Sequence, residues 1–80
     1  MTSSELYHFI NAVIRKLLEA GLDPSPLEII QCTAYSTGTE WLGELGRAVR
    51  KVEKQNSIAA ELREDLETML REVHRVWPNI

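Results

Sequence analysis

The stretch from Ala34 to Val49, AYSTGTEWLGELGRAV, raises the first question of chemistry. It holds Gly38, Gly43 and Gly46, three of the chain's four glycines. Closely spaced glycines let backbone amides surround a phosphate, but a phosphate loop then needs a lysine and a hydroxyl directly after its second glycine. Gly43 is followed instead by Glu44 and Leu45. Glu40 and Glu44 would also repel an anion at the start of the helix they open. The pattern predicts a helix start and a close helix contact rather than a ligand cradle.

Paired carboxylates are a second source of chemistry, since they can move protons or hold metals. Glu61, Glu64, Asp65, Glu67 and Glu72 fall in one segment, interleaved with Arg63, Arg71 and Arg75. A metal site inside a helix bundle needs carboxylates on the buried stripe, and these lie on the polar face. Glu67 and Arg71 have the spacing of a favourable helical ion pair. Glu72 and His74 are two residues apart, so their side chains diverge on a helix.

Cys32, His8 and His74 could in principle form a nucleophile and base. No acid is placed by sequence to orient either histidine, and no base flanks Cys32 to lower its pKa. Cys32 is expected to be a buried or half-buried structural residue. No catalytic residue, metal ligand or cofactor is assigned.

The remaining charged feature is Arg47, Arg50, Lys51 and Lys54, recurring at three- and four-residue spacing. They form a basic stripe opposite an apolar one. Such a stripe can meet an acidic protein surface or a phosphate backbone. Bases at a helix end also complement its dipole, and no aromatic is interleaved to stack bases. The net charge of −3 argues against a dedicated nucleic-acid binder. Nucleic-acid regulation through this stripe is therefore the alternative reading.

The elements that must carry these residues follow from pattern. Eighty residues, 44% hydrophobic and 26% charged, make one globular domain, residues 1–80, with a small core. The opening residues MTSSELYHF have no basic region or apolar run, so no signal peptide is expected. No apolar run approaches the ~18 residues of a membrane span. With a single cysteine, the expected setting is the cytoplasm.

Three long helices are predicted at about 3–20, 38–55 and 58–77, with a short one at about 26–35, making an all-α bundle. Thr2 and Glu5 fit a capping box at the first start. Gly21 fits a left-handed cap at its end, with Leu22 closing onto Leu17. The apolar set Leu6, Tyr7, Phe9, Ile10, Val13, Ile14, Leu17 and Leu18 covers roughly half of that helix. One flat neighbour needs a stripe of only a little over ~100°. Helix one is thus expected to be touched from two sides, as the central helix or within a subunit interface.

Asp23-Pro-Ser-Pro26 breaks the chain. Ser25 then reads as the cap of helix two, with Pro26 at its first position and Glu28 at its third. Leu27, Ile30, Ala34 and Tyr35 are expected to pack it, although its β-branched run leaves it weak enough to be partly an irregular turn. Thr37 with Glu40 makes a third capping-box match. Trp41, Leu42, Leu45, Ala48, Val49 and Val52 form the stripe that follows. Gln55-Asn-Ser57 should break the chain and cap helix four, whose stripe is Ile58, Leu62, Leu66, Met69, Leu70, Val73, Val76 and Trp77. So short a break makes helices three and four an antiparallel hairpin, with Trp41 and Trp77 at its open end.

Together these features point to a non-catalytic interaction protein of the adaptor, regulator or toxin-neutralising type. It is expected to bind a protein partner through helix faces, with homodimerisation a further expectation. No small-molecule or membrane partner is expected. The candidate interface residues are Tyr7, Ile14, Leu18, Trp41, Gly46 and Trp77, since aromatic residues are enriched at binding hot spots. Gly46, at the edge of its stripe, should let helix one or a second subunit cross closely. The sequence offers no account of Gly43.

Overall fold

A computed structural model describes all residues, 1–80, and contains four helices: α1 (Ser3–Glu19), α2 (Ser25–Cys32), α3 (Gly38–Glu53) and α4 (Ala60–His74). The expected all-helical class and hairpin are present. α1 packs on α2 and α4, and α3 packs on the same two helices. The helices therefore form a ring, α1 to α2 to α3 to α4 and back to α1.

Side-chain contacts give the direction of each neighbour. Lys16 meets Glu61 and Asp65, while Met1 meets Glu72. Gln31 Nε2 donates to the Tyr7 carbonyl and Asn11 Oδ1, both at 3.0 Å. Val73, near the end of α4, lies against Gly46 of α3. Successive helices run antiparallel, the up-down-up-down order that short connections favour. One end of the bundle carries the starts of α1 and α3. The other carries their ends.

The core lies along the ring axis. Leu6, Ile10, Val13 and Leu17 of α1 repeat every three or four residues and are at most 3% exposed. Leu45, Val49 and Val52 of α3 and Leu66, Met69 and Val73 of α4 meet them there, fully buried. Contact from two sides on α1 is confirmed, but α1 is one member of the ring rather than its centre. Tyr7 and Leu18 stay exposed at 42% and 58%, because α2 has only eight residues and covers that flank incompletely.

The caps hold with some corrections. Thr2 and Glu5 make both bonds of the capping box. Gly21, at φ 73°, closes α1 in a Schellman motif. Its amide donates to Leu18 O, and the Leu22 amide to Leu17 O at 2.9 Å. Thr37 accepts from the Glu40 amide at 3.1 Å, but the Glu40 carboxylate does not return the bond.

Ser25 is the first residue of α2 rather than its cap, which is Pro24. Asp23 Oδ1 instead accepts from the Ser25 amide at 2.9 Å, so an Asx turn does the work assigned to a serine cap. α2 is regular through Cys32 and stops before Ala34, which is exposed, not packed. α4 begins at Ala60 with Ala59 as its cap, and neither Asn56 nor Ser57 caps it. Ser57 takes φ 67° to turn the chain. α4 ends at His74, so Val76 and Trp77 lie beyond the helix, 43% and 40% exposed.

Gly43 and Gly46 of α3 lie under chain that folds back over them. A methyl group added at Gly46 would lie 2.6 Å from Ile80 Cγ2 and 2.9 Å from Val73 Cγ1. At Gly43 it would lie 3.3 Å from Trp77 Nε1. Thr39, Gly43, Gly46 and Arg50 share one face of α3 at four- and three-residue spacing. The segment Trp77–Ile80 lies back along that face. Trp77 Nε1 donates to the Thr39 carbonyl at 2.7 Å, and Arg50 Nη2 to the Ile80 carbonyl at 3.0 Å. The close neighbours of Gly46 are α4 and this tail, not α1 or a second subunit.

Candidate functional site at the aromatic end

The starts of α1 and α3 and the ends of α2 and α4 bring aromatic residues from four parts of the sequence to one end of the bundle. Trp41 stands between two shallow clefts there. On one side Met1, Leu6, Leu42, Glu72, Arg75 and Val76 line a cleft with Trp41. On the other, a cleft of about 300 Å³ is lined by Tyr7, Thr33, Tyr35 and Thr37 with the same tryptophan. Ser3 and Gly38 belong to both.

Polar tips at this end are mostly uncommitted. Neither tyrosine hydroxyl and not the Trp41 indole makes a hydrogen bond within the chain, whereas the Trp77 indole is held by Thr39. A ring with an apolar body and a free polar tip is suited to a surface that is alternately wet and covered. The charged groups are occupied. Glu72, its side chain 12% exposed, lies 3.0 Å from the Met1 amino nitrogen and 3.4 Å from Arg75. That carboxylate neutralises its neighbours instead of facing the cleft as a free base.

The candidate interface residues divide accordingly. Tyr7 and Trp41 line the second cleft together, whereas Trp77 lines neither cleft and lies on Gly43. Ile14 is half-buried and Leu18 exposed, further along the same flank of α1 as Tyr7. Gly46 is buried under its own chain, so it cannot be part of an outer surface. Tyr35 packs against the core as expected, and its outer side also lines the second cleft and a groove on the α2–α3 flank. It falls in the loop before α3, where no helical periodicity says which way a side chain faces.

The basic stripe is only partly free. Arg47 pairs with Glu44, and Arg50 with Glu53 at 3.0 Å. Lys51 and Lys54 have no carboxylate within ion-pair distance. On α4, Arg71 donates to Thr68 Oγ1 at 3.0 Å in place of the expected pair with Glu67. Glu61 and Asp65 hold Lys16, with Asp65 the closer at 2.9 Å. These bonds, Asp65 first, raise the Lys16 pKa above its ordinary 10.5.

Cys32 is exposed, a correction to its expected burial. Its position at the last residue of an eight-residue helix points it away from the two buried residues, Leu27 and Ile30. His74 is half-buried, and its Nε2 has no hydrogen-bond partner. No three His, Cys, Asp or Glu side chains are gathered into a group that could hold a metal ion. No helix is long and apolar enough to cross a membrane.

No protein-family model, curated protein or solved structure matches this chain.

Proposed function

We propose that this protein is a small non-catalytic interaction module that docks a partner protein on its aromatic end. The observation that carries this reading is the grouping of exposed Tyr7 with half-buried Tyr35 and Trp41 around two clefts, with polar tips that make no hydrogen bond within the chain. Aromatic anchors of this kind supply most of the binding energy at protein interfaces. An adaptor, regulator or toxin-neutralising role fits such a surface. A cytoplasmic setting belongs to the same proposal, because a lone exposed Cys32 suits a reducing compartment.

Cys32 also provides the test. It is the chain's only cysteine and precedes Thr33, which lines the second cleft. A maleimide photocrosslinker placed on Cys32 should join a defined partner in the cells that express the protein. A Trp41→Ala, Tyr35→Ala double variant should lose that adduct. A variant carrying Cys32→Ser and Glu64→Cys should not form it, because Glu64 lies on the outer face of α4. An adduct that survives in both variants would reject the aromatic end as the docking surface.

A second arrangement is favoured by the flank of α1. Tyr7, Ile14 and Leu18 lie at seven- and four-residue spacing, the period of a helix–helix seam, and Leu18 is 58% exposed. We propose that a homodimer forms along this seam. Sedimentation should then give about twice the 9.1 kDa chain mass, and Leu18→Glu should halve it. A monomer mass at high micromolar concentration would exclude the dimer.

A further inference from the structure

The groove on the α2–α3 flank differs in character from the aromatic end it adjoins. Its floor is aliphatic, built from Ile29, Ile30 and Ala48, and its α3 rim carries Arg47 and Lys51. Ile29 is 61% exposed, the highest value among the chain's large apolar residues, whereas Ile30 is 5% exposed. An isoleucine left in water beside an unpaired lysine is a paired signal. Something apolar would cover the one, and something anionic would meet the other. Glu44 also stands at this rim, but it is bonded to Arg47, which leaves Lys51 and, one turn on, Lys54 without a carboxylate partner.

We infer that this groove takes an acidic amphipathic segment of a partner protein, apolar side chains on Ile29 and Ala48 and carboxylates on Lys51 and, just beyond the groove, Lys54. The inference rests on the interaction-module reading and gives its partner a chemistry. Charge complementarity selects the occupant. The chain carries −3 overall, so a basic rim is a local exception that an acidic partner can read. Tyr35 joins the groove to the second cleft, so one segment can run from the rim to the aromatic end.

Other occupants fit less well. A phosphate backbone would gain nothing from an exposed isoleucine, and no ring stands between the cations for a base to stack on. A second copy would have to supply its own acids. On α4 these alternate with Arg63 and Arg71, and Glu61 and Asp65 are already held by Lys16.

The test uses synthetic helical peptides of roughly 15 residues with leucine on one face. One carries glutamate at every other position, and its counterpart carries lysine there. Fluorescence anisotropy with the full chain should show the glutamate peptide binding at least ~10-fold tighter, in a salt-sensitive manner. Lys51→Glu with Lys54→Glu should invert that preference, so that the lysine peptide binds the variant better. Both positions are exposed, so circular dichroism should show an unchanged fold. Ile29→Ser should weaken binding of either peptide several-fold.

Equal binding of the two peptides, or a preference unmoved by the double reversal, overturns the inference. So does tighter binding of a single-stranded oligonucleotide, or a dimer that the peptide cannot displace. Failure here is separable from failure of the broader reading. A Cys32 adduct that still depends on Trp41 and Tyr35 would leave the aromatic end as the docking site and remove only the acidic partner.

Discussion

The two ends of this bundle are closed by different physics. At the end where α1 finishes and α4 begins, polar side chains hold backbone. Gln55 Nε2 donates to the Asp23 carbonyl at 2.8 Å, and Gln55 Oε1 accepts from the Asp23 amide at 2.8 Å. That two-pronged clamp ties the α1–α2 loop to the end of α3. Asp23 continues the chain of bonds to Ser25, Gly21 caps α1, and Pro24 and Ile58 are buried there. At the opposite end the cover is aromatic. Trp77 lies on Gly43, Trp41 divides two clefts, and Tyr7 and Tyr35 leave their hydroxyls free. Backbone bonds are directional and fix one end. At the other, Trp77 adds one such bond, to the Thr39 carbonyl, and the rings cover the rest while leaving two clefts open.

The largest effect should come from filling the trough under the tail. Gly46→Leu puts several carbons where even one would stand 2.6 Å from Ile80. We expect a loss of about 1–3 kcal/mol from overpacking, read as a lower melting temperature. Trp77 fluorescence should shift toward that of a solvated indole as the tail leaves α3. An unchanged melting temperature would mean that the tail does not seal this end.

At the bonded end Gln55→Ala removes both prongs at once. The groups involved are exposed, so the expected cost is about 1 kcal/mol, or roughly 4–8 °C in a domain this size. Tyr7→Ala at the aromatic end should cost less than about 0.5 kcal/mol, as a surface change does. The contrast between these two variants measures how far stability and binding are divided between the ends. Equal losses would collapse the division.

Ser57 is the one strained position of the bonded end, a serine at φ 67°. Ser57→Gly should relieve the left-handed penalty and raise stability by about 0.5–1 kcal/mol in chemical denaturation. A fall in stability would mean the turn gains more from stiffness than it loses to strain.

The smallest effect is electrostatic. The Ser25 amide holds the Asp23 carboxyl below its ordinary 3.8. A depressed carboxylate pKa contributes stability that is complete above 3.8 and is lost as pH falls through the lower folded value. Lys16 runs the other way. Its pKa is raised above 10.5, so its contribution holds below 10.5 and is lost as pH rises through the folded value. Asp23→Asn should flatten the acid limb of the stability profile and leave the alkaline limb alone. An acid limb that keeps its slope would remove Asp23 from the account.

Much of the fold was legible before any coordinates. The Thr2–Glu5 box and the Gly21 cap are local, made within a few residues, and both are present as read. The stripes of α3 and α4 were legible because apolar period and helix period coincide. What failed to read were features made by contacts between distant segments. Pro24 displaced Ser25 from the cap because Asp23 could reach the Ser25 amide and stay tied to Gln55, 32 residues away. Cys32 and Ala34 are exposed because α2 is too short to turn them inward. Of the candidate residues, Tyr7 and Trp41, both singled out by residue type, line the second cleft, and Trp77 covers Gly43 instead. Tyr35 packs against the core as expected, but its place beside the second cleft was not legible, because loop residues carry no period from which a direction can be read.

Gly43 and Gly46 show most plainly what belongs to each level. Their spacing and the caution against a phosphate loop follow from sequence, as does the all-α class, since helical periodicity and caps are encoded residue by residue. That the two glycines form a trough for Trp77 and Ile80 was decided only when the chain turned back beyond α4. Two ends of different character were likewise settled by the ring of antiparallel neighbours. It sets Gln55 beside Asp23 at one end and Tyr7, Tyr35 and Trp41 together at the other. A helix's own period is a property of its backbone. What it meets depends on where the rest of the chain comes to lie.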